Sequence, residues 1–236
     1  MTYMNAFLSS ISKNQSQTET LPQSKPLTMS QPDTKRQKTN DDAPYELIYW
    51  PGLPGRGEFI RLLFEETATP FTDHSKEPPN EAAGRVAALM DAEHTGDDTN
   101  PAIFATPALK HGDLLINQAP NVMQYLAPKL GLSPPPTDPG FFHLNGIVLT
   151  LLDGFSNEVH ETHHPIATSL VYEDQKPEAK KRAKAFTDER LPKFLAYVQR
   201  VIDGKSSGEG PWLYGGKLSY ADLVLFQVCD QLTAEI

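Results

Sequence analysis

A chain of 236 residues, 39% hydrophobic and 22% charged, has the make-up of a soluble globular protein of about one to two domains. Its formal net charge of -9 argues against nucleic acid or an anionic membrane as a main partner, and no apolar run approaches the ~20 residues of a membrane span. Cys229 is the only cysteine, so no internal disulfide can form, which fits a reducing, cytoplasmic setting.

Residues 1–44 are rich in Ser, Thr, Gln, Asn and Pro and carry five Lys/Arg against four Asp/Glu. Such a segment buries too little apolar surface to offset its ordering entropy, so a disordered tail is expected. The basic run Lys35-Arg36-Gln37-Lys38 is short, and residues 1–28 lack an Arg-rich amphipathic face, so both are weak as targeting signals.

Strand and helix patterns alternate from Tyr45. Tyr45 to Trp50 reads as a strand, with Leu47 and Tyr49 on one face and Ile48 and Trp50 on the other. Glu58 to Thr67 carries the wide apolar face of a helix that starts near Gly57. A second strand is expected over Phe71 to Ser75 and a helix over Glu81 to Ala92, the latter weakened by Gly84. Glu93 to Pro101 is loop-like; Ala108 to Lys110 and Leu114 to Asn117 form a hairpin around His111-Gly112-Asp113. Pro120 to Leu130 is a helix closed by Gly131. These elements predict an α/β unit at 45–131, a small four-stranded mixed sheet with helices.

Four prolines between positions 134 and 139 make 132–139 a linker. Residues 140–236 then read as all-α. One long helix spans Phe141 to His164, and another spans Pro177 to Ile202 with a kink or restart at Pro192. Ser219-Tyr-Ala-Asp222 has the form of a capping box opening a helix over Leu223 to Leu232. In that box the Ser hydroxyl accepts from the backbone three residues on and the acid reaches back.

Chemistry concentrates at Tyr49 to Glu58. A tyrosine at a strand end, followed by a Gly/Pro loop and a helix N-terminus bearing Arg56, can hold an anion and donate a hydroxyl to it. Two other patterns compete. Gly52-x-x-Gly55-x-Gly57, with Asp73 further on, has glycines and an acid as a dinucleotide loop does, but in the wrong order. His160-Glu161-Thr162-His163-His164 fits H-E-x-x-H and would make the chain a zinc hydrolase, yet Pro165 should end the helix at once. The extended zinc motif also fails, with Ala167 and Leu170 where Gly and His belong.

Taken together, these segments resemble the cytosolic glutathione S-transferases of the tyrosine type (alpha, pi and sigma-like). Tyr49 with Gly55-Arg56-Gly57-Glu58 is similar to the catalytic-tyrosine segment. Thr106-Pro107-Ala108-Leu109 resembles the segment with a cis proline, Gln118-Ala119 the Gln-Ser helix start, and Gly216 to Asp222 the capped-helix signature of the second half. The resemblance covers Tyr45 to Ile236. It implies a thioredoxin-like first domain, glutathione as co-substrate, no metal, a small hydrophobic electrophile as second substrate, and a homodimer. It implies Tyr49 as the catalytic residue holding the glutathione thiolate. Arg56 would support the site, Thr106 before a cis Pro107 would pair its backbone with the cysteinyl part, and Gln118 and Ala119 would receive the γ-glutamyl carboxylate. Asp153 would reach the γ-glutamyl amine across a dimer interface. The chain departs from the family in one extra residue between Tyr49 and Gly55 and in Ala119 where a serine is usual. Transferases of this kind usually have further helices beyond the capped one. The end at Ile236 therefore implies a truncated form or an open pocket, with apolar faces exposed on Phe141–His164 and Leu223–Leu232. A transferase-like binding or regulatory protein without turnover is the alternative.

Overall fold

The computed structural model describes residues 42–235. Residues 1–41 of the tail expected at 1–44 lie outside the described residues, as does the basic run at 35–38.

Four short strands form one sheet in the order β2-β1-β3-β4: β1 (Tyr45–Ile48), β2 (Phe71–Asp73), β3 (Ala108–His111) and β4 (Leu114–Asn117). β1 runs parallel to β2 and antiparallel to β3, and β3 pairs antiparallel with β4. The mixed sheet is the one the sequence pattern predicts. β2 stops two residues earlier than expected, because the Asp73 carboxylate accepts from the Ser75 backbone N–H and starts a 3-10 turn at His74–Lys76.

Helix α1 (Gly55–Glu66) begins before the predicted Glu58 and buries Phe59, Ile60, Leu63 and Phe64 against the sheet, a stripe at helical spacing. α2 (Pro79–Leu89) tolerates Gly84 because that position is exposed. α3 (Ala119–Lys129) buries Val122, Met123 and Leu126.

The expected helix over Phe141–His164 is two helices joined by a wider π-helical stretch. α4 (Pro139–Leu149) leads into the π stretch at Thr150–Ser156, and α5 (Asn157–His163) comes after it. Gly154 in that stretch lies against Phe194, where an added Cβ would come within 3.1 Å of the ring. The second long helix is interrupted in the same way. α6 (Lys176–Ala185) and α7 (Leu191–Ile202) are joined by a π stretch at Phe186–Arg190, so the break precedes Pro192.

Helix α8 (Tyr220–Glu235) is capped differently from the expectation. The Asp222 carboxylate accepts both the Ser219 backbone N–H and the Ser219 hydroxyl, each at 2.7–2.8 Å, so the serine hydroxyl donates rather than accepts. The other Asp222 oxygen accepts the Leu213 N–H at 2.8 Å and ties the preceding loop to the helix start.

A continuous apolar cluster joins the sheet side to the helical side. Leu47, Phe59, Leu63, Leu109 and Leu126 are continuous with Leu144, Val148, Leu152, Phe155, Tyr220, Val224 and Val228. The proline-rich segment is held down where the Tyr220 N–H donates to the Leu132 carbonyl at 3.1 Å. Tyr220 is fully buried with its hydroxyl on Asn145, and burial pushes its phenol pKa upward. On the outer faces of α4 and α8, Phe142 (64% exposed) and Phe226 (61%) are open to solvent.

Across α5, Glu158 accepts from Arg190 at 2.6–3.0 Å and from Arg182 at 3.4 Å. Arg190 first, and then Arg182, hold its carboxyl below the usual range despite burial acting the other way. A depressed carboxyl stabilises the fold above its unfolded pKa, and that contribution is lost as pH falls through the folded value. Glu158→Gln is expected to cost about 1 kcal/mol near neutral pH, after discounting for the exposed Arg190, and less in acid. Urea unfolding at two pH values measures the difference.

Candidate functional site

Register gathers the site. Ile48 pairs with Ala108, and Ala108 with Asn117, so these three residues form one row across β1, β3 and β4. The next residues outward are Tyr49 on one strand, Pro107 and Thr106 on the second, and Gln118 and Ala119 on the third. Six of the sequence-predicted residues (Tyr49, Arg56, Thr106, Pro107, Gln118 and Ala119) therefore come from segments that meet at one end of the sheet.

Each segment is shaped locally. The Tyr49 ring is buried, and its hydroxyl accepts the backbone N–H of Arg56 at 3.0 Å. That N–H belongs to the first turn of α1, where amides lack helical partners. The phenol oxygen is thus anchored while its own proton stays free to donate, and accepting one bond strengthens the next. Two glycines make room: an added Cβ would lie 2.5 Å from the Tyr49 oxygen at Gly55 and 2.7 Å from its ring at Gly57. Gly55 also has φ +41°, a conformation that suits glycine.

The Thr106–Pro107 peptide is cis. Gln118 has φ +69° without being glycine, an outlier of the kind that clusters at ligand sites. It precedes α3 with no side-chain cap, and Pro120 supplies no N–H, so the Ala119 and Asn121 amides are left at the helix start.

Residues 160–235 match the family model described as "Glutathione S-transferase, C-terminal domain". Among solved structures, a Caenorhabditis elegans glutathione S-transferase superposes with TM-score 0.57 at 20% identity, covering 81% of this chain and 83% of that one. Fasciola hepatica sigma class glutathione S-transferase gives 0.56 at 15% identity, with 82% and 81% covered. Nilaparvata lugens prostaglandin synthase D gives 0.55 at 19%, with 81% and 82% covered. The chain has the glutathione S-transferase fold. No curated protein sequence matches it.

Within the transferase fold, Asp153 lies exposed in the π stretch, on the helical side of the chain. Arg56 connects the two regions. Its guanidinium donates to the side-chain oxygen of Asn157, one turn after Asp153. Burial pulls the Arg56 pKa down, opposed by Tyr49 and Asp153. Sequence reasoning missed Asn157, because the π stretch just before it breaks the regular helical phase from which its face would be read.

It also missed Arg61. This largely buried guanidinium donates to Asp73 at 2.8 Å, Glu58 at 2.8 Å, the Pro54 carbonyl at 3.2 Å and Ser75 at 3.0 Å. It lies 6.0 Å from the centre of the Tyr49 ring. Asp73, the acid of the dinucleotide-like pattern, is thereby committed to Arg61 and Ser75.

The zinc-like pattern also resolves into other contacts. α5 ends at His163, and His164 is the residue after it, with φ -125° and ψ 57°. The His160 and His164 rings stack with centres 5.0 Å apart, while Glu161 pairs with Arg182 at 2.8 Å. Among the described residues no group of three or more His, Cys, Asp or Glu is arranged to hold a metal ion.

Proposed function

We propose that the protein is a glutathione transferase that adds the glutathione thiolate to an electrophile, with Tyr49 as hydrogen-bond donor to the sulfur. The observation that carries this reading is the anchored phenol: Tyr49 accepts the Arg56 N–H while sharing the sheet end with cis Pro107 and strained Gln118. A thiol of pKa ~8.5 is only a few per cent thiolate near neutral pH. Lowering that pKa by ~2 units takes ~2.7 kcal/mol, which one hydrogen bond to a charged acceptor can supply at roughly 1.5–3 kcal/mol.

In this reading the thiolate attacks the electrophilic carbon, the carbon–sulfur bond forms, and the leaving group departs with its electron pair. Thr106, ahead of the cis bond, offers backbone to the cysteinyl unit. The Ala119 and Asn121 amides take the γ-glutamyl carboxylate at the start of α3. Ala119 supplies no hydroxyl there, so the backbone carries that contact. Asp153 serves the γ-glutamyl amine from the second protomer of a cytoplasmic homodimer, whose contact surface draws on Phe104, 89% exposed, and Phe142.

Retention on immobilised glutathione, followed by a conjugation assay with chlorodinitrobenzene, tests the reading. Retention with turnover is the expected result. Retention without turnover would instead support a binding or regulatory protein built on the transferase fold, and loss of both would reject the glutathione site.

A further inference from the structure

Helix α5 divides its charges between two faces. Glu158 and Glu161 turn toward α6 and the stretch after it, where Arg182 and Arg190 neutralise them. Asn157 and His160 lie at i and i+3, and the ring of His164, just past the end of the helix, stacks on His160. Asn157 accepts from Arg56, and Arg56 provides the backbone N–H that holds the Tyr49 hydroxyl. The polar face of α5 therefore adjoins the tyrosine.

That face is basic. The Arg56 side chain donates to a neutral amide rather than to a carboxylate. His164 Nδ1 lies 3.2 Å from the side-chain nitrogen of the fully buried Gln175, which also donates to the Ala167 and Leu170 carbonyls. His160 stacks on His164. Although His160 is largely exposed, burial of its ring is the main push lowering its pKa. His164, Arg56 and His163 push the same way, and Glu161 acts against them. Asp153, one turn before Asn157, is the carboxylate that acts on Arg56.

We propose that Arg56, His160 and His164 form an anion subsite of the second-substrate compartment, so that the preferred electrophiles carry a carboxylate. The inference rests on the glutathione-transferase reading above and narrows its substrate class from hydrophobic electrophiles in general to acidic ones. A carboxylate placed there relieves the mutual repulsion of the three bases. It also favours the protonated form of His160, which is disfavoured in the free protein, so preference for acidic substrates strengthens as pH falls.

A matched pair tests this: chlorodinitrobenzoate and its methyl ester, in which the glutathione thiolate displaces chloride to give the thioether. The measured quantity is the ratio of kcat/KM for acid over ester, each corrected for the uncatalysed rate. The ratio is expected to rise as pH is lowered from about 7.5 to about 6, and to fall roughly fivefold in His160→Gln and in His164→Gln. His143→Gln, far along α4 beside Tyr214, should leave it unchanged. A ratio that neither changes with pH nor falls in either variant overturns the subsite. So does a rise in KM for glutathione with an unaltered ratio, which would assign the bases to the glutathione carboxylates. If neither compound turns over, calorimetric titration with unreactive dinitrobenzoate and its methyl ester separates the two ideas. Selective acid binding lost in His160→Gln keeps the subsite while the transferase reading fails; equal binding rejects the subsite.

Discussion

Tyr49→Phe should move the acid limb of the conjugation pH profile upward by ~1–2 units while leaving glutathione retention largely intact. The phenol ring packs between Gly55 and Gly57, and phenylalanine keeps every one of those ring contacts. What disappears is one oxygen, which accepts the Arg56 N–H and would donate to sulfur. Lost donation weakens the preference for thiolate over thiol by a few kcal/mol, so the thiol ionises closer to its free value of ~8.5. Stopped-flow conjugation across pH measures the effect, with the rate near neutral pH dropping about tenfold or more. An unaltered profile would remove Tyr49 from the chemistry even if the fold and the glutathione site stood.

Arg61→Met should be the most damaging single substitution to stability, at about 3–5 kcal/mol. The reason is the charge it abandons. The Asp73 side chain is 3% exposed, and Arg61 is its cationic partner. Burial alone would raise the Asp73 pKa, but hydrogen bonds from Ser75 and Arg61, together with the Arg61 charge, bring it below the usual range. In the natural chain this carboxylate therefore contributes stability above its unfolded pKa and loses it as pH falls through the lower folded value. Without Arg61 the folded value rises, so the gap between variant and natural chain should be widest near neutral pH and narrow in acid. Denaturant midpoints at several pH values measure it. Activity should suffer too, since the same guanidinium holds the Pro54 carbonyl and faces the Tyr49 ring.

The strands and helices were legible because their signals are local. Period-two burial around Leu47 and the Phe59–Phe64 stripe need no knowledge of the partner surface. The segments that meet at the sheet end were named for a different reason, their resemblance to a family; pattern alone ran the first strand on through Tyr49 to Trp50, where the structure ends β1 at Ile48. Arg61 was hidden because an arginine in a helix reads as solvated until Asp73 and Pro54 are seen beside it. Asn157 and its bond from Arg56 were hidden because they depend on the helical phase after Leu149. A pattern assuming 3.6 residues per turn cannot see the wider stretch at Thr150–Ser156. The Ser219–Asp222 box was found correctly, but which atom donates depends on rotamers that the sequence does not encode.

That wider stretch works as a phase buffer ahead of α5. A π turn takes up about one residue more than a regular turn. Deleting one residue between Thr150 and Ser156 would therefore restore regular winding and leave Asn157, Glu158 and Glu161 on the faces they now present. Deleting one residue within α5 has no such reserve, and would turn everything after it by about 100° and part Glu161 from Arg182. A lineage could thus gain or lose a residue in this stretch without re-aiming the helix that follows.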